Sequence, residues 1–559
     1  MASPLVRLGE SPYQLFIRNT NDNHNKPGEV SRTPMTMIDR DGSVLCETED
    51  FRLLYHIVLR NDNLALNKYL TVAPWAVDNM STHPEIYEGN DYFLLATQNG
   101  NLGVLQILLD HYKRNRDSID EVRFKNRGYQ LLNEAARRGH LEIVQFLLDS
   151  QPLYAGIHER DCKGYTALGS AADVYSVRYT DPADWRDVCV DNNEKVMDLL
   201  LDYGASASDI VLPMNDREKT PDTVMTLAVQ WASPKLINRL IKGGADIQAK
   251  VTKFPFDLGF WNEGGSISDI NALFIACINA NFKAVQSLLG NPGSGQADMV
   301  SSRDSRGCLP IHWATRNQFP DELQYIPTPM LQERLHNIAS AIGLLLDINP
   351  ATVNIQDEDG NTPLHYATGH FGRSGKLYTD IFELLCQKGA DAGVYNKQGE
   401  TPLHTLFRRD GSNMPVDAAA VSTLLAHGAN ITDIDNAGNT PLHAACFSAN
   451  FGDAVTVLLQ HGADPTLQNS KQETPVHMVA QFSCPPRASQ SKADEVMRAQ
   501  DDMLDRLLKA RGAELMGLHN AAGKSTRQIY HDSRANWFKA GNGYRSRDSG
   551  AAKDLVRRI

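Results

Sequence analysis

A chain of 559 residues that is 42% hydrophobic, 22% charged and 8% aromatic has the composition of folded protein, which excludes a wholly disordered one. Its length leaves room for roughly three to four average domains or one long repeat array. With 55 basic against 67 acidic side chains the net charge is −12. That excludes a body held on nucleic acid by counterion release, and no direct nucleic-acid contact is expected.

No run of about twenty apolar residues is present, so no bilayer span and no membrane partner are expected. The opening MASPLVRLGESPYQL lacks the apolar core of a secretory signal, Ala2 stands where myristoylation needs glycine, and the final Val-Arg-Arg-Ile offers no cysteine for prenylation. The eight cysteines (46, 162, 189, 277, 308, 386, 446 and 484) never come closer than 27 residues. Zinc ribbons, iron–sulfur clusters and dithiol redox motifs need closer pairs. Stretches such as Phe274-Ile-Ala-Cys277 suggest small buried hydrophobes in a reducing compartment. The expected location is intracellular, cytoplasmic and/or nuclear.

In chain order, residues 1–50 are rich in Pro, Asn, Asp and Arg, lack sustained periodicity and predict little regular structure. Residues 51–160 predict three helix pairs. A loose one covers Phe51–Leu70. A second sets Phe93-Leu-Leu-Ala-Thr-Gln-Asn-Gly100 before Val104–Leu109, and a third sets Leu131-Leu-Asn-Glu-Ala-Ala136 before Gly139–Leu148. Residues 161–355 begin a recurring phrase, as Thr166-Ala-Leu-Gly169 and later Leu309-Pro-Ile-His312. Residues 356–519 carry it most regularly: Thr362-Pro-Leu-His365, Thr401-Pro-Leu-His404, Thr440-Pro-Leu-His443 and Thr474-Pro-Val-His477. A second phrase, an apolar pair followed by Gly-Ala, trails most copies, as at Leu458-Leu-Gln-His-Gly-Ala-Asp464.

One unit, Asp435 to Asn469, shows the logic. Asp435-Asn-Ala-Gly438 forms a tight turn in which Gly438 takes positive φ. Thr440 caps a short helix, with Pro441 at its first position. Val455, Leu458 and Leu459 share one apolar face of a second helix, and Gly462 stops it. A unit of this size cannot bury that face alone, so units must stack.

These phrases resemble the ankyrin-repeat family, whose signature is T-P-L-H-x-A at a period of about 33 residues. The resemblance covers nearly the whole chain and suggests a long, insertion-rich eukaryotic array of fungal type. It implies an all-α solenoid of about a dozen helix-turn-helix units with short hairpin-like turns. Matching the threonine position places units at 166, 226, 271, 309, 362, 401, 440, 474 and 525. Most spacings exceed the period, and the extra residues are expected as loops between paired helices, at 173–193, 318–336, 371–379, 409–417 and 483–498. These loops either only add length or, in the aromatic-rich first one, form a recognition edge. Residues 520–559 hold nine Lys/Arg against three Asp and read as a degenerate last repeat or cap with a basic tail.

Gly523-Lys524-Ser525-Thr526 imitates the end of a phosphate loop, but Leu518 stands where the first loop glycine belongs, and the segment aligns with the turn at Asp435–Gly438. The aligned His312, His365, His404, His443 and His477 would lie about 10 Å apart in a stack, too far to share an ion with bonds of roughly 2 Å. The family implies that they bond backbone between units. No catalytic, metal or cofactor site is predicted.

The family's binding face is made of turn tips and the exposed end of each first helix. By position these are Glu358 and Asp359, Lys397 and Gln398, Asn436 and Lys471, with Arg316, Arg408, Arg409, Phe447, Gln481 and Phe482 from the helices. Arg and aromatic side chains there are suited to supply most of an interface's energy; packing of the two phenylalanines under the insertions is the alternative. Gln472 replaces the usual turn glycine, which leaves the geometry of the last hairpin open. The resulting expectation is a scaffold or adaptor that binds another protein, of unknown identity. Two alternatives stand beside it: a coregulator acting through a DNA-binding partner, and an enzyme or small-molecule binder with pockets under the inserted loops.

Overall fold

The computed structural model describes residues 52–72, 91–114, 130–151, 154, 156–174, 188–212, 220–253, 265–291, 295–316, 328–371, 379–408, 415–482 and 490–540. The segment 1–50, Arg409 and most of the first inserted loop lie outside them. The chain divides into two compact units, Met1–Val251 and Thr252–Ile559.

In the first unit helix pairs follow one another: Arg52–Leu59 with Asn63–Val72, Tyr92–Gln98 with Leu102–Arg114, Leu131–Arg137 with Leu141–Asp149, Ala167–Ala172 with Val188–Asp202, and Val224–Ala228 with Pro234–Lys242. First helices pack on first helices, and among the second helices Asn63–Val72 packs on Leu102–Arg114, while Leu141–Asp149, Val188–Asp202 and Pro234–Lys242 pack in succession. Polar side chains tie neighbours together, two at the entry to a second helix and the third, Asn193, within one. The Asn101 amide donates to Val58 O, His140 Nε2 meets Gln98 O at 2.8 Å, and the Asn193 amide reaches Ala136 O and Ala171 O. Each such bond satisfies a carbonyl that the end of a short helix leaves over. Thr223, not Thr226, caps the fifth pair: its Oγ accepts from Thr226 N while Thr226 Oγ accepts from Thr223 N. Thr226 has the same chemistry three residues on, which is why aligning the sequence by threonine selects it.

Val251–Lys253 and Ile267–Ile270 form a two-stranded sheet ahead of the next helix pair, so the extra residues here sit in the turn between pairs and not inside one. Pairs then follow: Ala272–Ile278 with Phe282–Leu289, Pro310–Thr315 with Thr328–Ile348, Pro363–Phe371 with Thr379–Gln387, Pro402–Thr405 with Ala418–Ala426, Pro441–Ala445 with Gly452–Gln460, and Pro475–Ala480 with Gln490–Arg511; Thr526–Ala540 packs last. Two expected loops are shorter than predicted. Residues 328–336 and 490–498 extend the second helices, to 21 and 22 residues. The core runs between the layers: Trp313 is wholly buried, edge-on to Phe274 at 5.5 Å, with its indole N–H on Asp304 Oδ2.

The unit at 435–469 shows why the phrase folds as it does. His443 accepts the Thr440 N–H and hydroxyl at Nδ1, closing the first turn of the helix behind Pro441. At the other end Gly462 is left-handed, φ +93, and Ala463 N donates to Leu458 O, the glycine stop of a helix.

Candidate protein-interaction face

Each turn of the regular array is built by one Asp or Asn. Asp435 Oδ1 accepts from Ala437 N and Asn439 N, and Asp357, Asn396, Asn469 and Asn520 do the same in their turns. The tip is then tied to its neighbour by a backbone bond, to which the Asn436 carboxamide adds a second by donating to Lys397 O at 2.8 Å. Glu358 N donates to Arg306 O, Lys397 N to Asp359 O, Asn436 N to Gln398 O, Ser470 N to Ala437 O and Ala521 N to Lys471 O, each at 2.9 Å. A Cβ on Gly438 would lie 2.9 Å from Ser470 N, so glycine is needed there for closeness as well as for its φ of +77. Gln472 holds the same turn at φ +55. The last hairpin keeps its geometry at the cost of a strained residue.

The aligned histidines brace these turns from below. Nε2 of His312, His365, His404 and His443 meets Ile355 O, Glu400 O, Asn439 O and Glu473 O of the following unit at 3.0–3.1 Å. With Nδ1 accepting, the ring is neutral and donates from Nε2. Burial pushes His312, His365 and His443 down to about 4, and lowers His404 and His477 as well. Four of the five imidazoles hold backbone of the following unit, as the family resemblance implied, whereas His477 Nε2 is buried with no hydrogen-bond partner among the described residues. Gly523–Thr526 likewise forms a repeat turn: Asn520 N donates to Lys524 O, and Lys524 Nζ pairs with Asp532.

The predicted face divides in two. Glu358, Asp359, Lys397, Gln398, Asn436 and Lys471 stand exposed on successive tips. Arg408, Phe447 and Gln481 are exposed at the ends of their helices, with Arg408 paired to Glu400 at 2.5 Å and Gln481 bonded to Glu473 at 2.8 Å. Arg316 and Phe482 are not on the face. Arg316 is only 4% exposed, its guanidinium 5.0 Å from the centre of the Tyr366 ring, and Tyr366 in turn donates to Asp357. Phe482, 7% exposed, lies under the terminal helix, where Ser533 Oγ bonds its carbonyl. Both are covered by residues of a following unit, which helical position alone does not reveal.

The family model for ankyrin repeats matches residues 93–178 and 372–469. Those stretches carry ankyrin repeats. The solved ankyrin repeat domain of Bcl-3, described as a unique member of the IkappaB protein family, is similar at 22% identity over 50% of this chain and 98% of that one, with a TM-score of 0.31. No curated protein matches the sequence. Ankyrin repeats are generally protein–protein interaction modules and typically non-catalytic. Among the described residues no helix is long and apolar enough to cross a membrane.

Proposed function

We propose that this chain is a scaffold or adaptor that binds another protein through the exposed tips and helix ends of residues 356–481. The observation that carries the reading is the tip-to-tip backbone ladder. It presents Lys397, Gln398, Asn436 and Lys471 beside Arg408 and Phe447 as one preordered surface, so little conformational entropy is lost on association. The family's general role in protein interaction supports it. The free, buried thiols of Cys277, Cys308, Cys386 and Cys446 support an intracellular, reducing setting for the encounter.

The test is affinity capture followed by hydrogen-exchange mapping of the purified complex, with Lys397→Glu/Arg408→Glu/Phe447→Ala beside the wild type. All three substitutions lie on the surface, so the fold survives them. A partner that protects the 397–447 tips and is lost from the variant supports the proposal. A partner held equally by both, or protecting the outer helices instead, refutes it.

A further inference from the structure

The residue just before each turn-building Asp or Asn has a second job. In four turns its side chain bridges two main-chain carbonyls, that of its own turn four residues on and that of the equivalent residue in the following turn. Arg160 donates to Gly164 O at 2.8 Å and Ile210 O at 2.5 Å, and Arg303 to Gly307 O at 2.8 Å and Gln356 O at 3.3 Å. Gln356 donates to Gly360 O at 2.7 Å and Tyr395 O at 2.9 Å, and Gln468 to Gln472 O at 3.2 Å and His519 O at 3.5 Å. Two unrelated side chains, a guanidinium and a carboxamide, solve the same problem.

The row breaks at two adjacent turns. The equivalent residues are Tyr395 and Ile434, 47% and 56% exposed. The Ile434 side chain has no polar atom, and the Tyr395 hydroxyl bonds Asp433 instead. The carbonyl pair Gly399 O and Ile434 O therefore lacks its bridge, as does the pair Gly438 O and Gln468 O. Among the described residues, the chain here sets two large apolar side chains in water beside two vacant acceptor pairs. Such a combination is suited to a partner that covers the apolar surface and supplies the donors.

We infer that Tyr395 and Ile434 form the anchor point for an arginine-bearing peptide segment of a partner protein, whose guanidinium bridges Gly399 O and Ile434 O as Arg160 and Arg303 bridge their own pairs. The occupant's chemistry is taken from the molecule itself. Arginine fills the equivalent acceptor pair twice within the chain, each time with the two hydrogens of the planar Nη1 group, as the planar Nε2 of Gln356 does in its turn but with a charge that the carboxamide lacks. The aliphatic neighbours of that arginine cover Tyr395 and Ile434. This deepens the proposed function and rests on it, because it names the kind of segment that the same face takes.

The experiment uses the full chain labelled at isoleucine δ-methyl groups, titrated with acetyl-Leu-Arg-Leu-amide and, separately, with the lysine and norleucine analogues. The arginine peptide is expected to shift the Ile434 methyl saturably in the millimolar range. The norleucine peptide should bind at least tenfold more weakly, and the lysine peptide should fall between. Tyr395→Gln, which installs the carboxamide bridge already seen at Gln356, should abolish the arginine preference while leaving the fold intact, as judged by the other isoleucine methyls. No shift at Ile434, equal shifts with arginine and norleucine, or an unchanged preference in Tyr395→Gln each overturn the inference. A partner captured on the 397–447 tips that ignores Tyr395→Gln refutes this inference alone and leaves the proposed function standing.

Discussion

The histidine brace predicts a specific acid sensitivity, and His443 is the place to measure it. Its ring is wholly buried, Nδ1 accepts from Thr440, and Nε2–H donates to Glu473 O in the next unit. A second ring proton would have to displace the Thr440 N–H. The folded group therefore titrates at about 4 against 6.5 in the open chain. The depressed value sets the sign: stability is full above pH 6.5 and falls as pH drops toward 4, because the unfolded chain takes up protons that the folded one refuses. At pH 5.5 the unfolded imidazole is about 0.9 protonated and the folded one nearly unprotonated, an uptake of about 0.9 proton on unfolding. Integrated to pH 5, that removes about 2 kcal/mol at this single position. Stacked repeats need not unfold in one step, so proton uptake is the better measure than a midpoint. The assay is pH-stat unfolding in guanidinium at pH 5.5, comparing wild type with His443→Asn, whose carboxamide oxygen can still accept from Thr440 N. The variant should take up about 0.9 fewer protons. An uptake equal to that of the wild type would refute the buried neutral imidazole and the tautomer deduced from its bonds.

Other consequences are as direct. Gln472→Gly relieves a left-handed glutamine and should stabilise the last hairpin by about 1 kcal/mol, read as slower hydrogen exchange of the Lys471 and Glu473 amides; faster exchange would contradict it. Gly438→Ala adds a Cβ 2.9 Å from Ser470 N at φ +77 and should loosen the tip-to-tip bond there by about 1–3 kcal/mol, seen as rapid exchange of Ser470 N–H. Thr440→Val should cost about 1 kcal/mol in thermal or chemical denaturation by removing the hydroxyl that caps the Pro441–Ala445 helix and bonds His443. Leu458→Ala empties a wholly buried position between layers and should cost about 2–5 kcal/mol, lowering the first unfolding transition of the array.

Much of this architecture can be deduced from the sequence because each unit settles its own geometry locally. Thr440, Pro441, His443 and Gly462 make the bonds and turns that their identities suggest, and the same residues recur unit after unit. What sequence reasoning misses depends on neighbours. Arg316 occupies the helical position of Arg408, yet the aromatic ring of Tyr366 in the following unit encloses it, while Arg408 stays in water beside Glu400. Phe482 is buried because Ser533 belongs to a helix that returns over it. The polar run at 490–498 reads as a loop, whereas it extends a helix that buries Met503, Leu504 and Leu507 further along. The bridging side chains before each turn carried no visible signal, since arginine and glutamine share a role there without sharing a motif.

The ladder of turns has a bearing on how such a chain can change. Its repeated ties are amides and carbonyls, with one Asp or Asn anchoring each loop, and Lys397, Gln398 and Lys471 lend no side chain to them, whereas the Asn436 carboxamide bonds Lys397 O. The tip positions at 397, 398 and 471 can therefore be rewritten one at a time without loosening the frame that displays them. Partner choice is free to drift, generation by generation, on a chassis that scarcely notices.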